Sequence, residues 1–86
     1  MRADWASVSF VRSSSYRTRV LGALAKPKAP AELSRELKIH IAHVSKTLGE
    51  LEKRDLVECL TPAARKGRLY RRTEAGDRLL KVVQDQ

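Results

Sequence analysis

Apolar residues recur along this chain in two rhythms, helical over most of its length and strand-like near residue 60. Tyr16, Val20, Leu21 and Leu24 form one apolar stripe and leave Arg17, Arg19 and Lys26 outside it. That spacing predicts an amphipathic helix over residues 14–25. Ser13, Ser14 and Ser15 supply N-cap hydroxyls at its start. Lys26-Pro27-Lys28-Ala29-Pro30 ends it, because proline cannot sit inside a continuing helix. Pro30 suits a first helical turn, so a second helix spans 31–38 with Leu33 and Leu37 inward. Ile39 closes a tight junction. A third helix covers 41–54, where Ile41, Val44, Leu48 and Leu51 fall at i, i+3, i+7 and i+10 as a buried stripe. Its outward side carries His43, Lys46, Thr47 and Glu50, with His40 and Ala42 at the leading end.

Residues 56–60, LVECL, read as a strand with either face inward. Thr61-Pro62 leads into a turn over 63–68, where Gly67 is free to take a positive φ. Leu69 to Arg72 return as a second strand. Thr73 caps a last helix over 74–83, with Leu79, Leu80 and Val83 inward. At the other end, Trp5, Val8 and Val11 or Arg12 are spaced as on a helix, with Ala6 and Phe10 beside them. SVSFV also alternates as a strand does; helix is the better fit for the N-terminal extension, 1–13. The whole reads as one domain, 1–86, mainly α with a two-stranded β wing over 56–72. This is an α+β, winged helix-turn-helix layout, whose commonest use is to hold one helix in the DNA major groove.

Charge sharpens this picture. The net charge is +8 over 86 residues. Residues 1–28 hold six cations against Asp4, and residues 61–72 hold Arg65, Lys66, Arg68, Arg71 and Arg72 with no acid. Five unopposed cations in so short a stretch point to a polyanionic partner. A chain this small buries only about 60–65% of its unfolded surface, so dimerisation is a natural supplement. The single Cys59 excludes an internal disulfide, fits a reducing compartment and reads as a small core hydrophobe. No apolar run approaches the ~18 residues of a membrane span, and MRADWASVSF lacks the apolar core of a signal peptide. The expectation is a cytoplasmic protein with no membrane partner. No Ser/His/Asp set, carboxylate pair or Gly-rich phosphate loop is present, so the chain is not expected to be an enzyme or to hold a cofactor. No small-molecule ligand is evident. His40 and His43 stand three apart on a helix, but without a third ligand no metal site is expected.

The segments SSSYRTRVLGAL, HVSKTLGELEKRDLVECLTP and GRLYRRTEAG resemble the small archaeal-type winged-helix transcriptional regulators related to the ArsR and MarR groups. The resemblance covers about Ser13 to Leu80. It implies a recognition helix at His40 to Glu50 in the major groove and a wing at Ala63 to Arg68 on the backbone or minor groove. Three positions depart from the family pattern. Asp55 stands where a glycine usually precedes the Leu-Val strand. Arg72 replaces an apolar residue in the second strand, so that site is either exposed or the arginine reaches a partner. Gly49 lies inside the recognition helix at a cost of ~1 kcal/mol against alanine, and it either admits another backbone or is tolerated. The cysteine pairs of ArsR-type metal sensors are absent.

Candidate contacts follow from side-chain chemistry. Lys46 suits a phosphate or a guanine edge; His43, Ser45 and Thr47 can hydrogen-bond a base edge; Ala42 can pack on a thymine methyl; His40 and Glu50 share the helix. In the wing, Arg65 and Arg68 suit a narrow minor groove and Lys66 a phosphate. Arg71 and Arg72 are further backbone contacts. Arg17 and Arg19 either flank the duplex backbone or pair with Glu32 or Glu36. Trp5, Val8, Phe10 and an outward Val82 are more apolar than a lone domain needs and are candidates for a homodimer surface. The expected function is a sequence-specific, double-stranded DNA-binding transcriptional regulator. The alternatives are a winged-helix protein–protein interaction module and a non-specific architectural DNA-binding protein.

Overall fold

Val8 and Val11 decide the ambiguous first segment. Both are buried, and Ser7 with them, on one side of a helix, α1 (Trp5–Arg12). A strand would send positions three apart to opposite faces, whereas a helix stacks them together. The computed structural model describes residues 5–84; residues 1–4 and 85–86, the outer ends of the expected domain, lie outside the described residues. After α1 come α2 (Ser15–Ala23), α3 (Pro30–Leu37), α4 (Ile41–Lys53), β1 (Val57–Cys59), β2 (Tyr70–Arg72) and α5 (Glu74–Gln84).

Short-range chemistry sets the boundaries. The Ser14 hydroxyl accepts from the Arg17 amide and caps α2. Helix α2 stops at Ala23, two residues short of the sequence expectation, ahead of the Pro27 and Pro30 segment. Pro30 opens α3, and the Glu32 carboxylate reaches back to the Ala29 amide. Lys38 ends α3 in the left-handed region (φ 57°), and Ile39 N–H bonds the Ser34 carbonyl. Buried Ile39 then anchors the turn into α4. Asp55, also left-handed at φ 59°, turns the chain from α4 into β1. Thr73 caps α5 by accepting from the Gly76 amide and donates to the Asp55 carbonyl.

The two strands are antiparallel, with Val57 opposite Arg72 and Cys59 opposite Tyr70. Tyr70 also exchanges two backbone hydrogen bonds with Lys28, at 2.9 and 3.0 Å, so the α2–α3 linker covers the outer edge of β2. That bridge ties the wing to the helical bundle. Leu21, Leu33, Leu48 and Leu51 fill the centre of a core to which every helix contributes.

The core differs from the expected one at several points. Ile41 was expected in the buried stripe of α4 but is 45% exposed, because Ile39 already fills the junction and the buried arc is Val44, Thr47, Leu48 and Leu51. Tyr16 lies at the surface rather than in the α2 stripe, which Val20 and Leu21 supply. Of the expected dimer residues, Val8 belongs to the core, and Phe10 and Val82 pack against it half-buried, so Val82 does not point outward. Trp5 alone of that set is well exposed, at 66%.

Candidate nucleic-acid interface

Helix α4 buries one face and offers the other. His40 caps it, with Nδ1 accepting from the Ala42 amide at 3.1 Å, which fixes the imidazole as an acceptor at that nitrogen. His40, Ile41, Ala42, His43, Ser45 and Lys46 are exposed along its first two turns. The His43 ring rests against Tyr16 of α2 at 5.4 Å and against His40 at 6.2 Å, edge-on. Thr47, expected on this face, is buried at 4% exposure, because its position falls between Val44 and Leu51 in the inward arc. Glu50 is half-buried and turned sideways onto Arg17. The hydrogen bond from Arg17 holds its carboxyl below the ordinary carboxylate value, against the opposing effect of burial, with help from Arg17, Lys46 and Lys53 charge.

The arginines divide into two groups. Arg17 pairs with Glu50, not with Glu32 or Glu36, and Arg19 donates to the Leu37 carbonyl at the end of α3. Arg72 donates to the Leu21 carbonyl (2.9 Å) in the last turn of α2 and pairs with Asp77 (2.7 Å). These three act as staples on helix ends and element junctions, where orphan carbonyls need donors. Arg72 therefore replaces the usual apolar strand residue by reaching an internal partner. Arg71 pairs across the hairpin with Glu58, directly opposite it, and remains exposed.

The wing is a loop with internal bracing. Leu60 N–H bonds the Leu69 carbonyl and Leu69 N–H the Thr61 hydroxyl, which carries the hairpin past the strands. Arg68 bends back, its Nε donating to the Ala64 carbonyl (2.9 Å) and its Nη2 to the Pro62 carbonyl (3.0 Å). Gly67 takes φ 68° at the turn. Arg65 and Lys66 are left exposed at the tip, without a hydrogen bond or ion pair among the described residues. Between wing and α4 runs an open groove of about 680 Å³, lined by Pro30 and Ala31, Ile41 and Ser45, and the loop from Ala63 to Arg68.

Residues 13–59 match the model of a family described as a helix-turn-helix domain, more than half of the chain. The chain belongs to this helix-turn-helix family. The matched segment holds α2, α3, α4 and β1, so the groove-facing side of α4 lies inside it. Among solved structures, the chain is similar to the reduced form of the transcriptional regulator YodB from B. subtilis, at 22% identity and TM-score 0.80, over 99% of this chain and 86% of that one. It is similar to wild-type apo MarR from E. coli, at 21% identity and TM-score 0.77, over 91% of this chain and 63% of that one. A MarR mutant from E. coli complexed with operator DNA matches at 22% identity and TM-score 0.75, over 91% of this chain and 58% of that one. The chain thus spans about three-fifths of the MarR chains it matches. No curated protein matches the sequence. The winged helix-turn-helix architecture expected from the sequence is the one found.

Other candidate chemistry stays peripheral in this helix-turn-helix chain. Among the described residues no three His, Cys, Asp or Glu side chains gather where they could hold a metal. Cys59 is half-buried and packs against the core. No helix of the described residues is long and apolar enough to cross a membrane. Sequence reasoning missed Ile41 as a surface residue and Phe10 as the ring under two guanidinium groups, Arg17 at 3.8 Å and Arg54 at 4.3 Å. The i, i+3 spacing that put Ile41 in the stripe holds equally for its edge, and nothing local marks Phe10 as a cation platform.

Proposed function

We propose that this protein is a cytoplasmic transcriptional regulator that binds double-stranded DNA in a sequence-specific way. Helix α4 enters the major groove and the wing tip lies on the backbone or in the minor groove. The observation that carries this reading is the shared groove: Ile41 and Ser45, on the exposed side of α4, and the free cations Arg65 and Lys66 line the same opening. The operator-DNA complex of the similarly folded MarR mutant supports it.

In this mechanism phosphate contacts supply most of the affinity and its salt dependence, while base-edge contacts supply selection. Lys46 is a phosphate or guanine partner, Arg65 suits the minor groove and Lys66 a phosphate, and His43 and Ser45 are base-edge donors or acceptors. Ala42 packs on an adjacent base. Arg71, exposed and paired only with Glu58, can add a backbone contact. His40 serves first as the helix cap, with its other ring nitrogen available to the groove. Two copies form a homodimer whose surface includes exposed Trp5 on α1, the helix that packs on α5. A twofold pair would set two α4 helices about 34 Å apart over a palindromic site.

The test is fluorescence anisotropy with a random duplex and with a duplex enriched from a random pool, across salt concentrations. Binding with a steep negative log–log salt slope and a preference for the enriched duplex is the expected result. Equal affinity for both duplexes removes sequence specificity. No duplex binding at low salt removes the DNA reading and favours docking on an acidic protein surface.

A further inference from the structure

Ile41 is a large aliphatic side chain that the sequence pattern assigns to the core and the fold leaves in solvent, in the first turn of α4. An exposed isoleucine alone is ordinary. This one belongs to a wall: Pro30 and Ala31 of α3 and Ala63 and Ala64 of the wing line the same groove, and Ser45 continues it one turn along. Cations border the wall, with Arg65, Lys66 and Arg68 of the wing lining the same groove, and Lys46 is exposed further along α4. The cations suit a polyanion. The wall suits an apolar group that the polyanion itself presents.

The major-groove edges of duplex DNA expose one such group, the 5-methyl of thymine. We propose that Ile41 reads this methyl group and is a specificity-determining residue of the groove. The inference rests on the reading of α4 as a major-groove helix and adds to it a base and a chemical group. A β-branched side chain is stiff at χ1 in a helix, so Ile41 meets the methyl with little rotamer freedom to lose. Ala42 sits on the neighbouring part of the exposed face and offers only a single methyl; Ile41 extends further into the groove it lines.

The experiment isolates the methyl. A duplex enriched from a random pool by the wild-type protein is remade with deoxyuridine at each thymine in turn. This keeps every hydrogen-bonding group and phosphate and deletes one methyl. The expected result is a thymine in each half-site whose replacement weakens wild-type binding about fourfold, the worth of one buried methyl group. Ile41→Ala binds the thymine and uracil duplexes equally, and Ile41→Val retains part of the preference. Salt slopes stay unchanged in all three proteins, because no charge is altered. Melting of the free variants confirms that both are folded, as the exposure of Ile41 predicts. Wild-type indifference to uracil at every position overturns the inference, as does a uracil penalty that persists in Ile41→Ala. Absence of all duplex binding overturns the proposed function together with it, whereas duplex binding indifferent to uracil removes this inference alone.

Discussion

Arg17 of α2 grips Glu50 of α4 with two hydrogen bonds, Nε to Oε1 at 3.3 Å and Nη2 to Oε2 at 3.0 Å. The same guanidinium donates to the Phe10 carbonyl (2.8 Å) and the Ser13 hydroxyl (3.1 Å) and lies over the Phe10 ring. One side chain therefore joins α1, α2 and α4. The planar fork of arginine makes this possible; a lysine would offer a point charge without the fixed geometry.

That pair makes stability depend on pH. Glu50 has its carboxyl lowered below the ordinary value of 4.5, first by the Arg17 hydrogen bond. A lowered folded-state value means that the stabilisation is fully present above the unfolded-state value and is lost as pH falls through the folded one. Glu50→Gln is expected to cost about 0.5–1 kcal/mol at pH 7, the upper part of the range for partly exposed pairs. The gap between wild type and variant narrows below about pH 4.5, the ordinary value of the free carboxyl. Urea midpoints at pH 7, 5 and 3 check this. A gap that stays constant down to pH 3 assigns the loss to packing rather than charge.

Two glycines make opposite predictions. A Cβ on Gly76 would run into the Leu56 carbonyl, where α5 crosses the start of the wing. Gly76→Ala is expected to destabilise by about 1–3 kcal/mol or more, the cost of overpacking against rigid backbone. A Cβ on Gly49 meets nothing within 4 Å. Gly49→Ala is expected to stabilise the free protein by up to ~1 kcal/mol through helix propensity. Denaturant midpoints of the two variants should move in opposite directions, and a shared direction contradicts the geometry.

Asp55 occupies a left-handed turn at φ 59° that glycine takes without steric cost. Asp55→Gly is expected to raise the thermal midpoint by an amount equivalent to ~1 kcal/mol or less, since the relief is partly offset by the entropy of an unfolded glycine. Asp55→Val is expected to lower it. Thermal melts of the pair test whether backbone strain or the side chain governs this position.

The element order was legible because periodicity and punctuation agreed: Ser14 capped, Pro30 opened, Gly67 turned and Thr73 capped where their chemistry required. What stayed hidden was tertiary. Thr47 and Ile41 exchange their expected places because a helix face is only as wide as its neighbours make it, and Ile39 takes the room at the α3–α4 junction. Arg17, Arg19 and Arg72 leave free and partnered readings both open in the sequence; the folded chain brings them Glu50, the Leu37 carbonyl and the Leu21 carbonyl. Net charge was visible in the sequence; which charges are already spent was not.

The wing divides the same way, and its cations should behave differently. Arg65 and Lys66 stand free at the tip, while Arg68 ties the loop to the Ala64 and Pro62 carbonyls. Replacing Arg65 and Lys66 together by alanine is expected to lower the log–log salt slope of duplex binding by about 2 units, near 0.9 per lost phosphate contact, with the thermal midpoint unchanged. Arg68→Ala is expected to loosen the loop, because two carbonyl contacts are lost and the turn at Gly67 is no longer braced. Limited trypsinolysis of the free protein reads this directly, as faster cleavage after Arg65 or Lys66 than in wild type, since local opening exposes the backbone to the protease. Equal cleavage rates would show that the Arg68 contacts do not order the wing, and an unchanged salt slope in the double variant would remove the tip from the DNA.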